Sequence, residues 1–110
     1  MYTYKALITS VYDGDTVTAL VDLGFHINVE IKVRLVGINA PEIKGSNKNA
    51  GIITRDRLRE EILNKNVIIR TQKDKQEKYG RWLGEIWLPG DQSSINQKLI
   101  DEGLAIKYEE

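Results

Sequence analysis

Four short stretches of this chain carry residue types that can do chemistry. They are Asp13-Gly14-Asp15-Thr16, Arg34 through Glu42 (Arg-Leu-Val-Gly-Ile-Asn-Ala-Pro-Glu), Lys78-Tyr79-Gly80-Arg81 and Glu102-Gly103-Leu104-Ala105. Carboxylates can take a proton from water or ligate a hard cation. A guanidinium is always charged and offers anionic oxygens a planar fork of donors, which a lysine cannot. Each stretch taken alone also has a bland reading. A turn between two strands accounts for Asp13 to Thr16 without any function. Arg34 and Glu42 could form a surface ion pair worth at most about 1 kcal/mol, and Arg81 could extend its charge to water from the start of a strand.

The elements that must position these residues follow from hydrophobic periodicity. Tyr4 to Tyr12 is rich in β-formers and ends at the Asp13-Gly14 turn. From Thr16 to Leu23 the apolar residues Val17, Ala19, Val21 and Leu23 alternate with their neighbours, and Gly24 breaks the run. Ile27, Val29, Ile31, Val33 and Leu35 then repeat with a period of two, which predicts a third strand with Arg34 on its polar side. Ile52 to Leu63 places Ile52, Arg55, Leu58, Arg59 and Ile62 on one side of an amphipathic helix. Val67–Thr71 and Arg81–Leu88 read as two more strands. Ser94 is placed to cap a second helix from Ile95 to Glu102, which Gly103 stops. Three strands, a helix, two strands and a helix is the order of an OB-fold. The expected architecture is mainly β with α (α+β), a five-stranded Greek-key barrel in a single domain over residues 1–110. One helix falls between strands 3 and 4 and a second after strand 5.

The chain has 110 residues, 16 basic and 16 acidic, and 41% are hydrophobic. No apolar run approaches the roughly 20 residues that cross a bilayer. No basic-then-apolar leader is visible at the N-terminus, so the expected location is the cytoplasm. There is no cysteine, which excludes disulfides and thiolate metal sites. Zero net charge argues against a general basic coat for nucleic acid. Arg55 to Arg81 is nonetheless locally basic, with nine Lys/Arg against five acids; a solvated mixed face and a phosphate track both fit it.

Taken together and in this order, the four stretches resemble the staphylococcal (thermonuclease) family over about Ile8 to Tyr108. The resemblance implies a Ca²⁺-dependent hydrolase that cuts DNA or RNA phosphodiesters with little sequence preference, leaving 3′-phosphate ends. It implies Glu42 as general base on water and Arg34 and Arg81 as the phosphate clamp. Asp15 would ligate Ca²⁺, with the residue at Asn39 and the backbone carbonyl of Ala40, and Asp13 would stand just behind. Lys78 and Tyr79 would contact a terminal phosphate, and Tyr108 would wall the base.

The chain also departs from the family pattern. Asn39 stands where the pattern has a second aspartate, and Ala40 replaces a threonine. One missing charge at ~4 Å is worth about 4 kcal/mol at an effective dielectric of about 20, before desolvation offsets much of it, so weaker metal binding is expected. The family's further C-terminal helix is not matched, which suggests a partner chain for that wall, and the pI is about 6.6. The alternative reading is a weak or inactive nuclease-like module that binds single-stranded nucleic acid or protein. His26, in the turn between strands 2 and 3, reads as structural or solvent-exposed, and Trp82 and Trp87 as core or rim packing.

Overall fold

The computed structural model describes residues 2–76 and 80–109. Lys78 and Tyr79, expected at the substrate, lie outside them. Five strands close into a barrel: β1 (Tyr2–Asp13), β2 (Thr16–Asp22), β3 (Asn28–Leu35), β5 (Asn66–Gln76) and β6 (Trp82–Trp87). Around the barrel the order is β1-β2-β3-β6-β5, with β5 returning to β1. All pairings are antiparallel except β3 with β6, which run parallel. The α1 helix (Lys48–Ile62) comes between β3 and β5, and α2 (Ile95–Asp101) follows β6. This is the expected α+β barrel.

Three elements too short for periodicity complete the described residues. The strands β4 (Ile38–Asn39) and β7 (Ile106–Lys107) pair with each other, and Gly45–Asn47 makes one 3₁₀ turn before α1.

The core is where the alternating residues meet. Ile8, Val17, Ala19, Val21, Val33, Leu35, Ile69 and Ile86 fill the barrel, and Leu58, Ile62, Ile95 and Leu99 bring in the two helices. The third strand overshoots that core. Only Val33 to Leu35 pair with β6, so the inward alternation continues into exposed Leu23, Ile27 and Val29 at the far end of the β2–β3 hairpin. Alternation fixes which side a residue faces; it does not say how far the covering layer reaches.

The α1 helix begins four residues before its expected start and turns a different stripe inward. Its buried residues are Gly51, Thr54, Leu58 and Ile62, with Ile52 and Arg55 at the flanks. The reason is local. Thr54 Oγ1 donates to the Leu104 carbonyl at 2.7 Å, and Gly51 lies against the backbone of Glu42. Arg59 lies beside that stripe and donates through Nε and Nη2 to the Val11 carbonyl at 3.2 and 3.0 Å.

The β6 strand is buried on both sides, by the barrel interior and by α2, which is why Leu83 and Ile86 are both in the core. Asn96 on α2 fastens this layer: its Nδ2 donates to Val36 O at 2.8 Å and Gly84 O at 3.2 Å, and its Oδ1 accepts from Ile86 N at 3.2 Å. Trp82 and Trp87 are half-buried at the rim, Trp87 under the Arg70 guanidinium at 4.9 Å. His26 is exposed in the β2–β3 turn. The expected cap is present, Ser94 Oγ accepting from Gln97 N at 3.0 Å.

Candidate active site

The β1–β2 turn is pressed against the start of the segment that carries Glu42. A Cβ on Gly14 would come within 2.5 Å of Thr54 Cγ2 and 2.7 Å of Ala40 Cβ. Glycine is required here for that close approach. The contact carries Asp15 to Ala40, whose N–H donates to Asp15 Oδ2 at 3.1 Å. The other carboxylate oxygen accepts from Thr16 Oγ1 at 3.2 Å.

Arg34 is only 9% exposed, although it falls on the polar side of its strand. Its Nη1 donates to Leu35 O at 2.9 Å and lies 3.4 Å from Asp15 Oδ2. Its Nη2 donates to Asn39 Oδ1 at 3.4 Å, and its guanidinium carbon stands 5.9 Å from the centre of the Tyr108 ring. The acid paired with Arg34 is thus Asp15, and the surface pair with Glu42 does not form. The reason is the β2–β3 register, which sets Thr16 opposite Arg34 and so puts Asp15 within reach. Arg81 joins through the hydroxyl of Thr16, donating from Nη1 at 3.1 Å. Arg81, Thr16, Asp15, Arg34 and Asn39 therefore form one continuous polar chain.

Glu42 lines a neighbouring hollow of about 590 Å³ with Asn39, Ala40, Lys44, Leu104 and Ile106. Its carboxylate makes no hydrogen bond or ion pair among the described residues. Arg81 lines a different hollow, so Asn39 and Ala40 are the bridge between the polar chain and Glu42. Two devices hold the Glu42 side. The Arg57 fork grips Glu102 (Nε to Oε1 3.0 Å, Nη2 to Oε2 3.2 Å), tying α1 to the end of α2. The β4–β7 pair sets Asn39 opposite Ile106, and Tyr108 N donates to Gly37 O at 2.9 Å, which holds the Tyr108 backbone beside Arg34.

Thr16 and Gly51 are missing from the residues singled out by sequence. Thr16 is the fourth residue of the first stretch and was legible only as a strand residue. Gly51 gives no motif signal; its role is the contact of its α-carbon with the Glu42 carbonyl. Gly51→Ala should push the Glu42 backbone away from α1 and lower stability, as checked by the amide NMR shifts of residues 41–43 and a thermal melt.

Asp13 accepts from Asp15 N at 3.1 Å. Burial, and then the neighbouring Asp15 charge, push its carboxyl up to about 6 from 3.8. The folded chain thus holds this proton more tightly than the unfolded one. The stabilisation is complete below about pH 4 and is lost as pH rises through about 6. Asp13→Asn keeps the acceptor for Asp15 N and removes the charge. It should stabilise the protein in EDTA at pH 7 by about 1 kcal/mol, allowing for screening at a partly exposed group, and add nothing at pH 4. Urea unfolding at the two pH values checks this.

The Asp15 carboxylate and the Asn39 carboxamide, both reached by Arg34, offer oxygens of the kind a hard cation takes, and the crowding of Asp13 against Asp15 is what a cation would relieve. The fit is a weak one: no group of three or more acidic or histidine side chains gathers among the described residues, and Arg34 already supplies a positive charge to Asp15.

Against known proteins, the family model described as staphylococcal nuclease homologue matches residues 32–110, more than half of the chain. The chain belongs to the staphylococcal nuclease family. Among other members and relatives, it is 32% identical over 102 residues to a thermonuclease of Staphylococcus intermedius, covering 90% of this chain and 56% of that one. It is 30% identical over 106 residues to a thermonuclease of Staphylococcus hyicus, with 94% and 57% covered. An uncharacterised protein of Methanocaldococcus jannaschii is 30% identical over 129 residues, with 96% and 59% covered. The chain spans somewhat over half the length of these family relatives. None of its helices among the described residues is long and apolar enough to cross a membrane.

Proposed function

We propose that this chain is a metal-dependent nuclease that hydrolyses phosphodiester bonds of DNA and/or RNA with little sequence preference. The observation that carries the reading is the polar chain from Arg81 through Thr16 and Asp15 to Arg34 and Asn39, ending beside the hollow of Glu42. Barrel stability does not need that arrangement, whereas phosphodiester hydrolysis needs each part. Arg34 and Arg81 bind the phosphate and stabilise the charge that builds on its oxygens in the transition state. Glu42, with no partner of its own among the described residues, takes the proton of the attacking water. Asp15, the Asn39 carboxamide and the Ala40 carbonyl would hold Ca²⁺, which supplies charge neutralisation at the phosphate. Tyr108 offers its ring to the adjoining base; Lys78 and Tyr79 are proposed at a terminal phosphate. With a single carboxylate in that set and Arg34 beside it, the substrate's own charge completes the cation site.

A second reading, a module that binds without cutting, draws on the same feature, since Arg34 neutralises Asp15 and Asn39 brings no charge. Cleavage of single-stranded DNA and RNA in Ca²⁺ and in EDTA separates the two. The nuclease reading expects cutting that EDTA abolishes and that Arg81→Ala lowers by about 10²- to 10³-fold. Cutting indifferent to both would overturn it, and binding without cutting at millimolar Ca²⁺ would favour the module.

A further inference from the structure

Arg81 borders a second hollow of about 540 Å³, separate from that of Glu42, on the outer surface of β1, β2 and β3. Strand register sets two rows here. Asp13 and Thr16 of the lining lie beside Arg34, which is outside it, in the row that belongs to the candidate active site, and Ser10, Thr18 and Lys32 lie side by side in the next. Lys32 is therefore about 7 Å along the strand from Arg34 and on the same side of it. Tyr12, 55% exposed, stands between the rows.

Place, rather than exposure alone, makes this surface a candidate for a ligand: Lys32 and Tyr12 share one hollow with Arg81. Several surface cations of this chain are paired, Arg55 with Asp56, Arg57 with Glu61 and Glu102, and Lys98 with Asp91. Lys5, Lys44, Lys48 and Lys107 are exposed without an ion pair among the described residues but line no hollow with either clamp arginine. Lys32 has no ion pair or side-chain hydrogen bond among the described residues, in a chain with as many acids as bases. Tyr12, likewise, packs its ring on no other aromatic there, although it is large and apolar.

We propose that this surface is a second nucleotide subsite, where Tyr12 stacks a base and Lys32 neutralises the phosphate next to the scissile one, so that the chain grips a single-stranded polynucleotide. The proposal rests on the nuclease reading for its direction, because Arg34 and Arg81 fix which phosphate comes first. A ring standing on a strand surface can meet only a base that has left its own stack, which selects single strands. The hydroxyls of Ser10 and Thr18 line the path between them and read no sequence. Asp13 lies in the row nearest the cation-binding turn, so the favourable place for the further phosphate is the opposite row, at Lys32.

The test compares cleavage of a dinucleotide with that of a labelled single strand of about eight nucleotides, using the parent, Tyr12→Ala, Tyr12→Phe and Lys32→Gln. Both residues are on the surface, so the variants should fold. Tyr12→Ala should lower the ratio of kcat/KM for the long strand over the dinucleotide by about 5- to 100-fold, and Tyr12→Phe should restore it. Lys32→Gln should reduce the slope of log affinity against log salt by about one. An unchanged ratio and an unchanged slope would overturn the subsite and leave the nuclease reading standing. Should the parent cleave neither substrate, the nuclease reading falls and fluorescence anisotropy of the long strand decides the subsite alone. Binding weakened by Tyr12→Ala and restored by Tyr12→Phe upholds it; equal binding by all three, or none, overturns it.

Discussion

Glu42→Gln should lower kcat by about 10²- to 10⁴-fold and leave the stability of the protein unchanged. Glutamine keeps the size and one acceptor oxygen of the side chain and loses its basicity. Glu42 is exposed, and its carboxylate supports no other group among the described residues, so unfolding has nothing to lose. Its backbone is held independently, by Pro41 on one side and by Gly51 of α1 on the other. A single-turnover measurement at saturating substrate, with a thermal melt alongside, separates the two quantities. A variant with kcat within a fewfold of the parent would remove Glu42 as the base.

Arg34→Met should combine three effects that no surface arginine would produce together. The Arg34 and Asp15 side chains are each only 11% exposed. Removing the guanidinium therefore leaves a buried carboxylate uncompensated and should cost about 3 kcal/mol of stability in EDTA. Cleavage should fall by about 10²- to 10³-fold for loss of a donor to the transition state. Calcium binding without substrate should become tighter, by about tenfold, because the cation no longer shares Asp15 and the Asn39 oxygen with a fixed positive charge. Calorimetric titration of both proteins with Ca²⁺ checks that third effect. Weaker binding by the variant than by the parent would contradict the place given to Asp15 and Asn39.

The barrel was legible because two strands keep a period of two, the other three are runs of β-formers between turn signals, and the helices keep a period of 3.6. What escaped was decided by contact rather than by pattern. Alternation from Ile27 to Leu35 gave no sign that β6 covers only its last residues, leaving Ile27 and Val29 exposed. The inward stripe of α1 was set by a glycine and a threonine, neither of which weighs in a hydrophobic count. Two-residue strands such as β4 and β7 are too short to carry a period, yet they align Asn39 with Ile106 and hold the backbone beside Arg34. The candidate site was legible as an ordered set of short pieces. Their meeting at Thr16 was not, since the pairing of Thr16 with Arg34 is a matter of register between two strands. Arg34 was assigned to the polar side of its strand, and that side proved to be covered by Asp15, Asn39 and Tyr108.

The claim on which all of this depends is that Arg34 and Arg81, 47 positions apart in the sequence, act on one phosphate. Titrating the Glu42→Gln protein with a dinucleotide while following the Nε–H signals of both arginines by NMR tests it most directly. Both signals should move along one isotherm that saturates at one ligand per chain. Movement of only one arginine, or two isotherms with separate midpoints, would contradict it.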